Sequence, residues 1–133
     1  AIGERALYYW PIRDLLDSGA NVAPGSDWPS VAESLNPWPA IEGLVTRRNP
    51  YTDSEEALWP EQAITLEEAL KVFTLDGATA YRLENVTGSI EVGKSADLIV
   101  LDRNLFEVPV ESISETGVEQ TFFEGQMIYE AEK

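Results

Sequence analysis

The chain has 133 residues, 44% of them hydrophobic, enough for one domain with a real core and too few for two ordinary ones. Its 24 Asp and Glu against 9 Lys and Arg leave a net charge of −15 at pH 7. So acidic a surface repels phosphate backbones and anionic lipid headgroups, so neither nucleic acid nor membrane is expected as a partner. There is no Cys and no His, which excludes disulfides, thiolate nucleophiles, Ser-His-Asp triads and His- or Cys-ligated zinc within these residues.

In chain order, Leu7, Tyr8, Ile12, Leu15 and Leu16 fall at roughly helical spacing, with Pro11 interrupting. This predicts a helix kinked or restarted at Pro11 and ended by Gly19. Asn21-Val22-Ala23-Pro24-Gly25 predicts one short buried strand, with partial hydrogen bonding because of Pro24. Gly25-Ser26-Asp27-Trp28-Pro29 then has turn chemistry. Residues 28–64 hold five of the eight prolines and three of the four tryptophans, which predicts a long ordered loop. One helix is expected inside it, from about Pro37 to Arg47, with Ile41, Leu44 and Val45 on one face.

Thr65-Leu66-Glu67-Glu68 is a capping box, and Leu66, Ala69, Leu70 and Phe73 predict the helix it opens, stopping near Asp76-Gly77. A further helical turn is expected over Ala78–Leu83. The period then changes to that of strands. Ser89–Val92, a Gly93-Lys94 turn and Ala96–Asp102 form one predicted pair. Val118–Phe123, Glu124-Gly125 and Gln126–Tyr129 form a predicted hairpin. Val92-Gly93-Lys94-Ser95 ends like a phosphate-binding loop, but a strand rather than a helix follows, so nucleotide binding is excluded.

Among residues that carry chemistry, Asp27 stands first. A carboxylate directly after a short strand sits where α/β barrels place groups that bind a metal or move a proton. The alternative is that it caps the following turn. Trp28, Trp38, Trp59 and Tyr51 would line an apolar pocket or pack the long loop onto the body. Arg47-Arg48, the only adjacent basic pair, would bind an anionic substrate group or complement a helix C-terminus.

Three stretches together resemble the amidohydrolase superfamily. Gly25-Ser26-Asp27-Trp28-Pro29 looks like its last barrel strand, and Thr65 to Ala78-Thr79 looks like the helix that follows. Gly88-Ser89-Ile90-Glu91-Val92-Gly93-Lys94-Ser95-Ala96-Asp97-Leu98-Ile99-Val100-Leu101-Asp102 resembles the return into a small β-domain. Trp28-Pro29 and Asp102-Arg103-Asn104-Leu105-Phe106 point to the subgroup that includes N-substituted formamide deformylases.

The resemblance implies an α/β fold: the C-terminal end of a (β/α) TIM-like barrel plus part of a composite β-sandwich domain. Residues 1–86 would be the last strand and helices of the barrel, with the long loop at 28–64, and 87–133 the C-terminal half of the sandwich. It implies a metal-dependent hydrolase of amide-like C–N bonds acting on a small-molecule substrate, with metal-activated water as nucleophile. Asp27 would stand at the metal and shuttle the proton; from the chemistry of the residues themselves, Trp28 and Arg48 are the candidates for contact with substrate. The family's His ligands have no counterpart here. The metal, zinc by expectation, therefore belongs to the full-length enzyme and is not expected on this chain alone, which would be inactive. The missing N-terminal barrel portion of the same protein is the expected partner, and uncovered faces would favour self-association. The rival reading is a small acidic interaction module without enzymatic activity.

Overall fold

Thr65 opens a fully capped helix in a computed structural model that describes residues 3–30, 32, 34–52 and 54–132. Its hydroxyl accepts from the Glu68 amide at 3.2 Å, and Glu68 Oε2 accepts from the Thr65 amide at 2.9 Å, so both halves of the capping box form. Arg13 Nη1 donates to both Glu68 oxygens, at 2.8 and 2.7 Å, and ties this cap to the N-terminal part of the chain. The Arg13 bond first, and the Thr65 amide second, hold the Glu68 carboxyl below its ordinary value.

The N-terminal pattern breaks where Pro11 requires it. A 3-10 segment, Gly3–Tyr8, precedes α1, Ile12–Asp17, and Trp10 between them has φ +61. Helix α2, Trp38–Thr46, starts on Pro39 in its first turn and ends at Arg47, whose φ of +58 closes it in the left-handed conformation. Helix α3, Leu66–Phe73, gives way to α4, Leu75–Ala80, at Thr74. The break therefore falls earlier than Asp76-Gly77, which lies inside α4. Thr74 leaves helical geometry (φ −122, ψ −88) while its hydroxyl bonds back to the Leu70 carbonyl at 2.8 Å.

The core forms where the apolar faces of α1, α2 and α3 meet the 3-10 segment Val110–Glu115: Ile12, Trp38, Ile41, Leu66, Ala69 and Ile113 are buried together. Beside it lies a three-stranded antiparallel sheet in the order β1 (Leu98–Leu101), β2 (Val118–Phe123), β3 (Gln126–Glu130). β1 pairs Leu98 with Phe122 and slips register between Val100 and Leu101. Glu124 (φ +49) and Gly125 (φ +77) make the tight turn from β2 to β3, two left-handed residues as such a hairpin demands. All five residues of β3 are exposed, Met127, Ile128 and Tyr129 among them. No helix among the described residues is long and apolar enough to cross a membrane.

Two expected strands do not form. Residues 21–25 and 89–92 carry no ladder hydrogen bonds, because a strand exists only beside a neighbour and no described segment pairs with either. The second stretch folds instead as a turn, with the Lys94 amide on the Glu91 carbonyl and the Ser95 amide on the Val86 carbonyl. Ile90 and Val92 consequently face outward. Gly88 (φ +90) lets this loop approach α4 so closely that a Cβ there would meet the Ala78 methyl at 2.6 Å.

Asp97 joins these pieces. Its carboxylate accepts from the Glu124 amide, the Ser95 hydroxyl and the Thr87 hydroxyl, each at 2.9 Å. Those donors, the Glu124 amide foremost, hold its carboxyl below the ordinary aspartate value. A carboxyl whose pKa is lower folded than unfolded stabilises the fold above the unfolded value, about 3.9, and loses that contribution as pH falls through the folded value. Asp97→Asn is therefore expected to destabilise the chain at pH 7 and to have a smaller effect at pH 2, measured by chemical denaturation at both. An effect independent of pH would contradict this role.

Candidate functional site

The segment leading to Asp27 is held by a few side chains instead of a ladder. Asn21 Nδ2 donates to the Asp76 carbonyl of α4 at 3.0 Å, and Val22 packs against the core. The Asp76 carboxylate is in turn bound by Lys71 Nζ at 2.6 Å. The chain then turns at Asp27, which has φ +53, a conformation Asp tolerates better than most side chains. The turn's hydrogen bonds come from other groups. Ser26 Oγ accepts from the Trp28 amide at 3.3 Å, and the Ser30 amide donates to the Asp27 carbonyl at 2.8 Å.

The Asp27 carboxylate is exposed and makes no hydrogen bond among the described residues. Its side chain is thus not what caps this turn. Non-glycine residues held at positive φ cluster at sites where chemistry constrains the backbone, which gives this position a physical reason for notice.

The aromatic residues do not share one pocket. Trp38 is buried in the core, and Trp59 stands edge-on to Tyr8 with ring centroids 5.4 Å apart. Trp28 and Tyr51 are exposed, Trp28 by 52% and following Asp27 directly. The basic pair also divides. The Arg47 side chain is buried and bound to backbone carbonyls, whereas Arg48 is half-buried with its guanidinium 3.8 Å from Glu111. No hydrogen bond or ion pair among the described residues joins Asp27, Trp28 and Arg48. Two clefts of about 780 and 710 Å³ lie between α3, α4 and β1, and between α2, α3 and the loop after β1. Neither is lined by any of these three residues.

Glu42 and the tertiary bonding of Arg47 escaped sequence reasoning. Glu42 is buried, and its Oε2 accepts from the Ser114 amide at 2.7 Å, tying α2 to the Val110–Glu115 segment. The signal was there: Trp38, Ile41, Glu42 and Val45 occupy one helical stripe, so Glu42 belongs to the inward face. Arg47 carried no such signal, because its acceptors, Leu58 and Tyr9, lie 11 and 38 residues away.

The model of the amidohydrolase family matches residues 3–129, and the chain belongs to that family. It is 34% identical over 128 residues to an N-substituted formamide deformylase of Arthrobacter pascens, covering 93% of this chain and 22% of that protein. It is 38% identical over 94 residues to a 5-methylthioadenosine/S-adenosylhomocysteine deaminase of Caldanaerobacter subterraneus, covering 71% of this chain and 20% of that one. The chain thus spans about a fifth of the length of these relatives. Among solved structures, an amidohydrolase from Thermotoga maritima shares the fold over 90% of this chain and 26% of its own, with a TM-score of 0.65 at 24% identity.

Amidohydrolases generally use divalent metals. Such centres take three or four protein ligands from nitrogen, sulfur or carboxylate donors. No group of three or more possible ligands comes together among the described residues, and the chain has no His or Cys at all. Asp27 offers a single carboxylate. The residues present therefore do not fit a metal centre by themselves.

Proposed function

We propose that this chain is the C-terminal part of a metal-dependent hydrolase acting on amide-like C–N bonds of a small-molecule substrate. Residues 1–86 are the end of its (β/α)-barrel, with the 28–64 loop, and 87–133 are half of its small β-sandwich. The rest of the same protein supplies the remaining barrel strands and the metal ligands, zinc being the expected ion. Asp27 adds at most one oxygen to them. The 133 residues alone are inactive.

Within that enzyme Asp27 works as a general base and then a general acid. Its carboxylate takes a proton from the water that attacks the amide carbon and delivers it to the nitrogen as the C–N bond breaks. Trp28, adjacent and exposed, offers an apolar wall to the substrate. Arg48, held only loosely by Glu111, offers its guanidinium to an anionic group.

The observation that carries this reading is the Asp27 carboxylate, exposed on a left-handed turn whose hydrogen bonds other groups supply. Amine release from N-substituted formamides by the full-length protein tests it. Turnover is expected in the native enzyme and its near-loss in Asp27→Asn. Undiminished turnover in that variant would overturn the assignment.

A further inference from the structure

Arg47 and Leu58 close a loop at its neck. The Leu58 amide donates to the Arg47 carbonyl at 2.8 Å, and Arg47 Nε donates back to the Leu58 carbonyl at 3.0 Å. Nη2 of the same guanidinium reaches the Tyr9 carbonyl at 3.4 Å, and the Arg47 amide bonds the Gly43 carbonyl at 3.0 Å. One residue, only 8% exposed, thus joins the end of α2, the return of the loop and the stretch before α1. Burying a cation is unfavourable unless hydrogen bonds compensate it, and here backbone carbonyls do so.

The loop depends on this neck. Among the described residues, the hydrogen bonds of 49–57 stay within the loop: the Tyr51 amide on Asn49 Oδ1 at 3.0 Å, the Thr52 amide on the Asn49 carbonyl at 3.2 Å, and the Glu56 amide on Ser54 Oγ at 3.2 Å. Arg48 follows the clamp directly, its amide bonded to Thr46 Oγ1 at 3.1 Å. A change at the neck is therefore expected to reach Arg48 and Tyr51 before the core residues of α2 and α3.

We infer that Arg47 is a positioning residue: it fixes the neck of the 48–57 loop and through it the place of Arg48. The part concerning Arg48 rests on the function proposed above. A planar guanidinium can present Nε and Nη2 to two carbonyls at once; the single ammonium of Lys cannot reproduce that fork.

The test uses Arg47→Met and Arg47→Lys in the full-length protein. Hydrogen exchange at the Leu58 amide is expected to rise about tenfold in both, with α3 unchanged. KM for an N-substituted formamide bearing a carboxylate is expected to rise about tenfold, while KM for its neutral ester and kcat for both hold. Should Arg47→Met fail to fold, Arg47→Lys gives the same readings. Unchanged exchange at Leu58, or an equal rise in α3, overturns the clamp. Faster exchange at Leu58 with KM unmoved for the carboxylate substrate keeps the clamp and overturns its link to Arg48. Loss of kcat on both substrates would likewise overturn a positioning role confined to binding.

Discussion

Asp27→Asn in the full-length enzyme is expected to lower kcat for amide hydrolysis by about 10² to 10⁴ and to leave KM little changed. The asymmetry follows from where the carboxylate acts. An amide nitrogen is a poor leaving group until protonated, and water is a poor nucleophile until it loses a proton, so one carboxylate serving both needs affects the barrier more than the bound state. Asn preserves the size of the side chain and its tolerance of φ +53, so the turn is retained. The hydrogen bonds of that turn come from Ser26 and the backbone, which the substitution leaves alone. Steady-state kinetics of the two proteins measure the effect. A drop shared equally between kcat and 1/KM would point to damage in binding instead.

Ile113→Ala is expected to destabilise the chain by about 2–5 kcal/mol, a large fraction of a domain's net stability. Ile113 is fully buried in the core, on the 3-10 segment packed against α2. The residues around it have little freedom to collapse into the space. The next amide, that of Ser114, is held by Glu42 at 2.7 Å, and the Ile113 carbonyl accepts from Thr116 at 3.1 Å just before β2 begins. A cavity that cannot close keeps its full penalty. Chemical denaturation measures it, and a loss below about 1 kcal/mol would show that the segment repacks.

What could be read from sequence was what short-range chemistry determines. The Thr65–Glu68 box, the restart at Pro11, helix α2 and the Glu124-Gly125 hairpin each depend on residues within a few positions of one another, and all four form. The strands expected at 21–25 and 89–92 depend on neighbours, and the described residues supply none. Their apolar composition was legible, but a ladder was not. The helix break shows a subtler failure: Gly77 looked like a terminator, yet Thr74 stops α3 by bonding back to Leu70. At the candidate site, residue types and their order in Gly25-Ser26-Asp27-Trp28-Pro29 were enough to single out Asp27. Which arginine of the pair at 47 and 48 keeps its guanidinium outside the fold was not legible, because Leu58 and Tyr9 decide it through tertiary contact.

The proton role of Asp27 is tested most directly by varying the leaving group. In a series of N-substituted formamides whose amines span a wide range of basicity, a carboxylate that protonates the departing nitrogen matters most for the most basic amines. The ratio of native to Asp27→Asn turnover is therefore predicted to rise steadily with the basicity of the amine released. A ratio constant across the series would mean that Asp27 does not deliver the proton, and would contradict the mechanism assigned to it.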